Sequence, residues 1–223
     1  MAFLLHVLSE RDVFVDVGAN VGSYTILAGA VAGARGYAFE PVPATYRRLI
    51  ENIRLNHLEN RVTAVNIGIG RAPGVVDFTS DLDTVNHALA PGEPYENAIK
   101  VEIATLDTML AGQHPSLIKI DVEGYESSVL AGASAVLEEP TLNAVIMELN
   151  GSGRRYNEDE SGILKMMIER GFKSYSYDPF ARALTPMNGS NPASGNTLFI
   201  RNEAAVLERI AASPFFNVHG KRL

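Results

Sequence analysis

The sequence predicts a single α/β domain whose core is a mostly parallel, seven-stranded sheet with an antiparallel edge and an inserted β-hairpin-like pair. Three observations predict it. A β-branched run, Val13 to Val17, ends in a glycine-rich turn and is followed by a helical pattern. Short buried-strand patterns then alternate with helical ones, which calls for a parallel sheet with helices on both faces. The last two strand patterns are joined by an irregular stretch instead of a helix, as expected of antiparallel strands at one edge. With 223 residues and 46% hydrophobic content the chain can fill one core, so residues 1–223 read as one domain without internal repeats.

The elements follow in order. Residues 1–12 read as a short N-terminal packing helix, because the apolar stretch Ala2 to Leu8 is too short to span a bilayer. It also lacks the basic start and small-residue cleavage site of a signal peptide. Val13 to Val17 is the first strand, and Val21 to Val31, rich in small residues, the first crossover helix. Gly36 to Glu40 is a second strand, which Pro41 and Pro43 end before Tyr46, Leu49, Ile50 and Ile53 recur at helical spacing. Val62 to Ile67, Ser116 to Asp121 and Leu142 to Leu149 supply strands three to five.

Residues 74–105 break the alternation. Gly74 to Thr79 and Ile99 to Thr105 alternate like strands with no full helix between them, the pattern of an added antiparallel pair. The polar stretch Ser80 to Asn97 between them is long enough to read as a substrate-side loop. After a helix near Ser161 to Arg170, Phe172 to Tyr177 and Asn196 to Ile200 are the final strands, joined by the irregular Asp178 to Gly195. A helix beginning at Glu203 places Val206, Leu207 and Ile210 on one face.

Composition excludes several functions. Nineteen Lys and Arg against 26 Asp and Glu give a net charge of −7, so no broad cationic surface exists for a nucleic-acid partner. No segment is apolar over the roughly twenty residues a membrane crossing needs. With no cysteine, a disulfide framework and a thiolate metal site are both ruled out. The expectation is a cytoplasmic protein acting on a small molecule through oxygen or imidazole groups.

In an open parallel sheet the ligand crevice lies beyond the carboxyl ends of the strands. Asp16-Val17-Gly18-Ala19-Asn20-Val21-Gly22 ends the first strand there, with Gly18 and Gly22 permitting a tight turn and close backbone approach. Glu40 ends the second strand, where a carboxylate can accept both hydroxyls of a ribose. A dinucleotide fingerprint places glycine where Asp16 stands, and an acid there repels a pyrophosphate but attracts the amino group and sulfonium of S-adenosylmethionine. Taken singly, each residue fits an ordinary βα turn, with Asp16 as a helix cap and Glu40 as a surface acid. Together they point to a cationic nucleoside.

VFVDVGANVGSYT, AFEPVPATYRRLIENIRLN and LIKIDVEGYESSVLAG, in that order and spacing, resemble the FkbM-like family of S-adenosylmethionine-dependent methyltransferases over roughly Asp12 to Asn150. The stretch GNTLFI, Gly195 to Ile200, is also family-like. The resemblance implies a Rossmann-like class I methyltransferase sandwich and methyl transfer to hydroxyl groups of sugars or polyketide-type natural products. It implies further that Asp16, Gly18, Asn20 and Gly22, with Ala19 beside them, hold the methionine portion. Glu40, next to Pro41, would hold the ribose, and Asn66, Ile67 and Gly68, on to Ile69, the adenine edge. A noncatalytic module that retains the cofactor fold for ligand binding or assembly is the alternative.

Catalysis of methyl transfer is largely positioning, but an alcohol is a poor nucleophile and calls for a base. Asp121 and Glu123 follow the fourth strand and share a face if the backbone stays extended there. They are candidate catalytic residues, with Asp121 also a cofactor contact; alternatively Asp121 fixes the loop and Glu123 caps the next helix. Thr84-Val85-Asn86-His87 lies in the long loop, and the imidazole of His87 suits a general base. Asn86, His87, Glu148 and Asn150 are candidate substrate contacts, the last two lying on one face of the fifth strand. His6, His57, His114 and His219 read as bystanders. Arg154, Arg155 and Tyr156 read as a solvated turn or as a grip on an anionic or sugar substrate. Asp121, Glu123 and Glu148 offer hard oxygens for Mg²⁺, but no spacing is diagnostic, and the expected chemistry needs no metal.

Overall fold

The computed structural model describes residues 1–82, 85–193, 195–218 and 220–222. Thr84 and His219 fall outside the described residues.

Strand β1 (Val13–Val17) is buried along its whole length, as its apolar run requires of a central parallel strand. It pairs in parallel with β2 (Arg35–Phe39) on one side and β7 (Leu117–Ile120) on the other. β3 (Val62–Val65) extends the sheet beyond β2, and β8 (Ala144–Glu148) extends it beyond β7. Then β11 (Asn196–Ile200) pairs antiparallel with β8 and with β9 (Lys173–Asp178). The order β10-β9-β11-β8-β7-β1-β2-β3 puts the reversal of chain direction at β1. Ligand crevices open at such a point, next to the carboxyl ends of β1 and its neighbours.

Eight strands form this sheet where seven were expected. The addition, β10 (Ala183–Pro186), lies in the stretch read as irregular and pairs antiparallel with β9. Asp178 Oδ1 accepts the N–H groups of Phe180 and Ala181, and Arg182 takes a positive φ of 51°, so the chain turns back on itself. Pro186 is tolerated because this is the edge strand.

The inserted pair forms as expected, from β5 (Gly74–Phe78) and β6 (Ile99–Ala104) in antiparallel register. A third strand joins them: β4 (Gly68–Ile69) runs parallel to β6. The third strand, read as Val62 to Ile67, is shorter in the large sheet, Val62–Val65, and the residues just beyond it, Gly68–Ile69, form a strand of the small sheet. Phe78, Ala88, Val101, Ile103 and Val42 form the small core under this sheet.

Helix α1 (Ala2–Val7) packs with α8 (Glu203–Ala212) through Phe3, Leu4, Val206 and Ile210. The first crossover begins two residues later than its pattern suggested, as α2 (Ser23–Ile26), and continues as a π-helical turn over Leu27–Val31. α3 (Pro43–Leu55) starts on a proline whose missing N–H costs nothing at a helix start and buries Leu49 and Ile53. α4 (Leu106–Met109), α5 (Glu126–Ala131), α6 (Ser134–Glu138) and α7 (Glu160–Glu169) complete the layers. Among the described residues no helix is long and apolar enough to cross a membrane.

Candidate active site

The strands β1, β2, β7 and β8 all deliver polar residues to one cavity of about 380 Å³ at their carboxyl edge. Its floor is the sheet end, with Asp16, Val17, Phe39, Glu40, Lys119 and Asp121. Gly18, Ala19 and Asn20 line one side, Ile67, Gly68 and Ile69 a second, and Glu123, Tyr125 and Glu148 a third. Phe78, Asn86 and Ile103 reach it from the insertion.

The glycine turn is built around two carboxylates. Asp16 Oδ2 accepts both the backbone N–H of Thr25, at 3.1 Å, and its hydroxyl, at 2.6 Å, which ties β1 to α2. Among the described residues no group bonds its Oδ1, and the side chain borders the cavity. Glu40 Oε2 accepts the Asn20 N–H and Oε1 the Val42 N–H, each at 2.9 Å. The cap that Asp16 supplies and its place in the cavity wall therefore coexist, and Glu40 is a buried acid, only 5% exposed. Burial pushes Asp16 up to about 6, against the hydrogen bonds of Thr25 and the charge of Lys119. Burial likewise pushes Glu40 up to about 7, against its two backbone donors. Both acids therefore hold a proton to higher pH than ordinary carboxylates do.

The acceptor end is organised by a residue for which the sequence reading had no role. Lys119 is 1% exposed in the middle of the apolar β7, and its Nζ lies 2.8 Å from Asp121 Oδ2. A lysine is almost never buried without a partner, and its alternation with Asp121 along the strand was the available signal. Tyr24, with Lys119 Nζ 5.4 Å from its ring centroid, and Tyr125 also line the cavity and had been given no role from the sequence.

Asp121, Glu123 and Glu148 bring carboxylate oxygens within 4.8 Å of one another. Asp121 and Glu123 converge without an extended backbone: β7 ends at Ile120, and Glu123 and Gly124 have φ values of 53° and 103°. The chain curls there and turns both carboxyls inward. Glu126 pins the curl, its Oε1 accepting the N–H groups of Val122 and Gly124. The capping alternative for Glu123 is not seen, since α5 starts after Tyr125 without a side-chain cap; burial pushes the Glu126 carboxyl up to about 7. Burial opposes the charge on Asp121, yet the Lys119 ammonium and a hydrogen bond from Glu148 outweigh it and hold Asp121 below the ordinary carboxylate range. Glu148 moves the other way, raised first by its hydrogen bond to Asp121 and then by burial and the Asp121 charge. Lys119 Nζ lies beside this cluster.

Four of the sequence candidates lie outside the cavity wall. His87 is 4% exposed, with Nε2 3.0 Å from Glu93 Oε1 and Nδ1 2.9 Å from the Val85 carbonyl oxygen. Both ring nitrogens face oxygen acceptors, so His87 organises the loop and offers the cavity no free base. Its neighbour Asn86 lines the cavity while its Oδ1 accepts bonds from Thr79 and Leu82. Asn150 is exposed beyond the end of β8, where its Oδ1 accepts the Ser152 N–H. Asn66 donates to the carbonyl oxygens of Glu40 and Pro41, bracing β2 from outside. Gly22 starts α2 at φ 93°, with Leu49 occupying the space a Cβ would need. Gly22 therefore serves helix packing, and Pro41 remains in the wall.

The bystander histidines also stay clear: His6 Nδ1 is 2.5 Å from the Tyr177 hydroxyl, His114 Nδ1 2.9 Å from Glu139, and His57 sits in a left-handed turn. Arg154, Arg155 and Tyr156 belong to a 3-10 turn, Ser152–Tyr156. Arg155 donates to the Glu123 carbonyl oxygen and the Tyr156 hydroxyl to that of Ala88, so the turn clamps the insertion to the curl after β7.

Parallel strands that end in acids around a glycine turn, with the crevice at the sheet's reversal point, define the Rossmann-like α/β class of nucleoside-binding folds. Within that class, the chain belongs to the FkbM methyltransferase family, whose domain matches residues 16–174. It is similar to the hexuronic acid methyltransferase AglP of Haloferax volcanii, with 29% identity over 171 residues. That match spans 74% of this chain and 65% of the relative's length. The methyltransferase sdnD of Sordaria araneosa is 28% identical over 182 residues, covering 66% of this chain and 70% of the relative. Among solved structures, the methyltransferase FkbM of Methylobacillus flagellatus superposes with a TM-score of 0.56 at 17% identity. It shares the fold across 86% of this chain, which spans 44% of that one.

Proposed function

We propose that the chain is a cytoplasmic, S-adenosylmethionine-dependent O-methyltransferase acting on a hydroxyl of a sugar or natural-product acceptor. One observation carries the reading: Asp16, Glu40 and Asp121, from three adjacent parallel strands, open onto one cavity beside a glycine turn. The donor set fits the cofactor, since Asp16 has a carboxylate oxygen without a partner among the described residues and Glu40 is preset by two backbone donors. When bound, the cofactor supplies an electrophilic methyl group on a sulfonium.

In this reading the turn Gly18 to Asn20 and Asp16 hold the methionine portion, Glu40 the ribose, and Ile67 to Ile69 the adenine. The apolar walls from Phe39, Ile69, Phe78 and Ile103 exclude water from the reacting groups. Asp121, Glu123, Glu148 and Asn86 face the acceptor. The hexuronic acid named for the Haloferax relative supports a sugar-like acceptor. The absence of cysteine is compatible with a reducing compartment.

The test is transfer of label from methyl-labelled S-adenosylmethionine to a panel of sugars and hydroxylated polyketides, with EDTA present. Labelled methyl ethers are the expected product. A protein that binds the cofactor but methylates no panel member rejects O-transfer and leaves the noncatalytic binding module.

A further inference from the structure

We propose that Glu148 takes the proton from the acceptor hydroxyl and that Lys119, acting through Asp121, is the positioning residue that sets its charge. The inference rests on the methyl-transfer reading above and adds to it the identity of the base.

Three groups compete for the role, and the contacts separate them. His87 is turned away from the cavity and bonded at both nitrogens. Asp121 is committed to the Lys119 ammonium at 2.8 Å, and a carboxylate neutralised in this way is a weak base. Glu148 stands at the carboxyl end of β8, borders the cavity, and has no cation of its own within ion-pair distance among the described residues.

Charged and titratable groups face Glu148 from several elements, and a second, small cleft that it borders is also lined by Glu126, Glu158, Asp159 and Glu160. Asp121 and Lys119 face it from β7, Glu123 from the curl that follows, and Tyr24 from α2. Asp121 and Glu123 discourage a second negative charge, and Lys119 alone favours it. Two carboxyls in hydrogen-bond contact share one proton, and the neighbouring cation decides how readily it leaves. A general base works best when its proton affinity matches the working pH, and the raised affinity of Glu148 provides that match.

The step balances. The acceptor O–H bond breaks and its proton passes to a Glu148 carboxylate oxygen. The acceptor oxygen forms a bond to the methyl carbon of the sulfonium donor, and the electron pair of the broken S–CH₃ bond stays on sulfur as a neutral thioether. The proton on Glu148 then leaves to solvent before the next turnover.

The experiment has two arms. In the first, carboxyl ¹³C NMR follows the Glu148 titration in the ligand-free protein. Lys119→Met moves it to higher pH by about one unit or more, and Asp121→Asn moves it to lower pH by a similar amount. These opposite shifts are ones a merely structural role does not produce; an unmoved titration in whichever variant folds overturns the role of Lys119 and Asp121. In the second arm, the acceptor that wild type methylates best in the panel is given to Glu148→Gln. Turnover falls about 100-fold or more while S-adenosylhomocysteine binds within about twofold of wild type. Near-normal turnover by Glu148→Gln overturns the base assignment but leaves the methyl-transfer reading intact. A wild type that binds S-adenosylhomocysteine yet methylates nothing removes that reading, and the base with it.

Discussion

Gly18 lies against the carbonyl oxygen of Asp121 so closely that a Cβ on Gly18 would overlap it. The glycine expected to leave room for a ligand thus also lets the end of β1 close on the end of β7. That contact joins the proposed cofactor turn to the acceptor-side carboxylates. Gly18 also has φ 77°, where a side chain is strained. We predict that Gly18→Ala destabilises the fold by roughly 2–4 kcal/mol, strain and overlap together. Gly92→Ala, at φ 83° with open space around it, costs only the strain of about 1 kcal/mol. Urea titration of the two variants checks the difference.

We predict that binding of S-adenosylhomocysteine releases protons. Asp16 and Glu40, at about 6 and about 7, are largely neutral in the empty protein below these values. The ammonium group of the ligand's amino acid portion and two ribose hydroxyls both favour the ionised carboxylates. Affinity for S-adenosylhomocysteine therefore rises as pH increases from about 5.5 to 7.5 and levels off above. Calorimetry at pH 6.5 in buffers of different ionisation enthalpy reads the released protons directly; a heat independent of buffer contradicts the linkage.

The same acids shape the stability of the ligand-free chain. Asp16, Glu40 and Glu126 bind protons more tightly folded than unfolded, at about 6, 7 and 7 against ordinary values of 3.8, 4.5 and 4.5. Their stabilising contribution is complete below the unfolded values and is lost as pH rises through the folded ones. Each accounts for up to about 3 kcal/mol, at 1.36 kcal/mol per unit. Asp12, lowered by Arg209 and Ser9 against its burial, acts oppositely and only at the acid end, below about pH 4. The melting temperature without ligand should be higher at pH 5.5 than at pH 8, and S-adenosylhomocysteine should narrow the gap.

His87 is a structural residue in this arrangement. Replacing it with Ala strands Glu93 and the Val85 carbonyl, and the expected cost is roughly 1–3 kcal/mol of stability. Cofactor affinity is expected to stay within about twofold. A stable variant whose turnover is lost at full cofactor occupancy would return His87 to catalysis.

Much of the cofactor side was legible in the sequence because its residues lie at strand ends, where local pattern sets position. Asp16 and Glu40 follow from strand boundaries, Ile67 to Ile69 came from the family resemblance, and β11 occupies the span its pattern indicated. What depends on the chain folding back was not legible. Glu93 returns to His87, Glu126 reaches back to Gly124, and Arg182 turns β10 onto β9. Lys119 is the instructive omission: a lone cation in an apolar strand has to meet a partner, and Asp121 stood two residues away on the same face.

The central claim is that Glu40 and Asp16 frame a nucleoside site, and titration with S-adenosylhomocysteine tests it most directly. At pH 7.5 the wild type should bind, and Glu40→Ala should weaken binding by about 1–3 kcal/mol, roughly 5- to 150-fold. No binding by the folded wild type, or equal affinity in Glu40→Ala, would contradict the account.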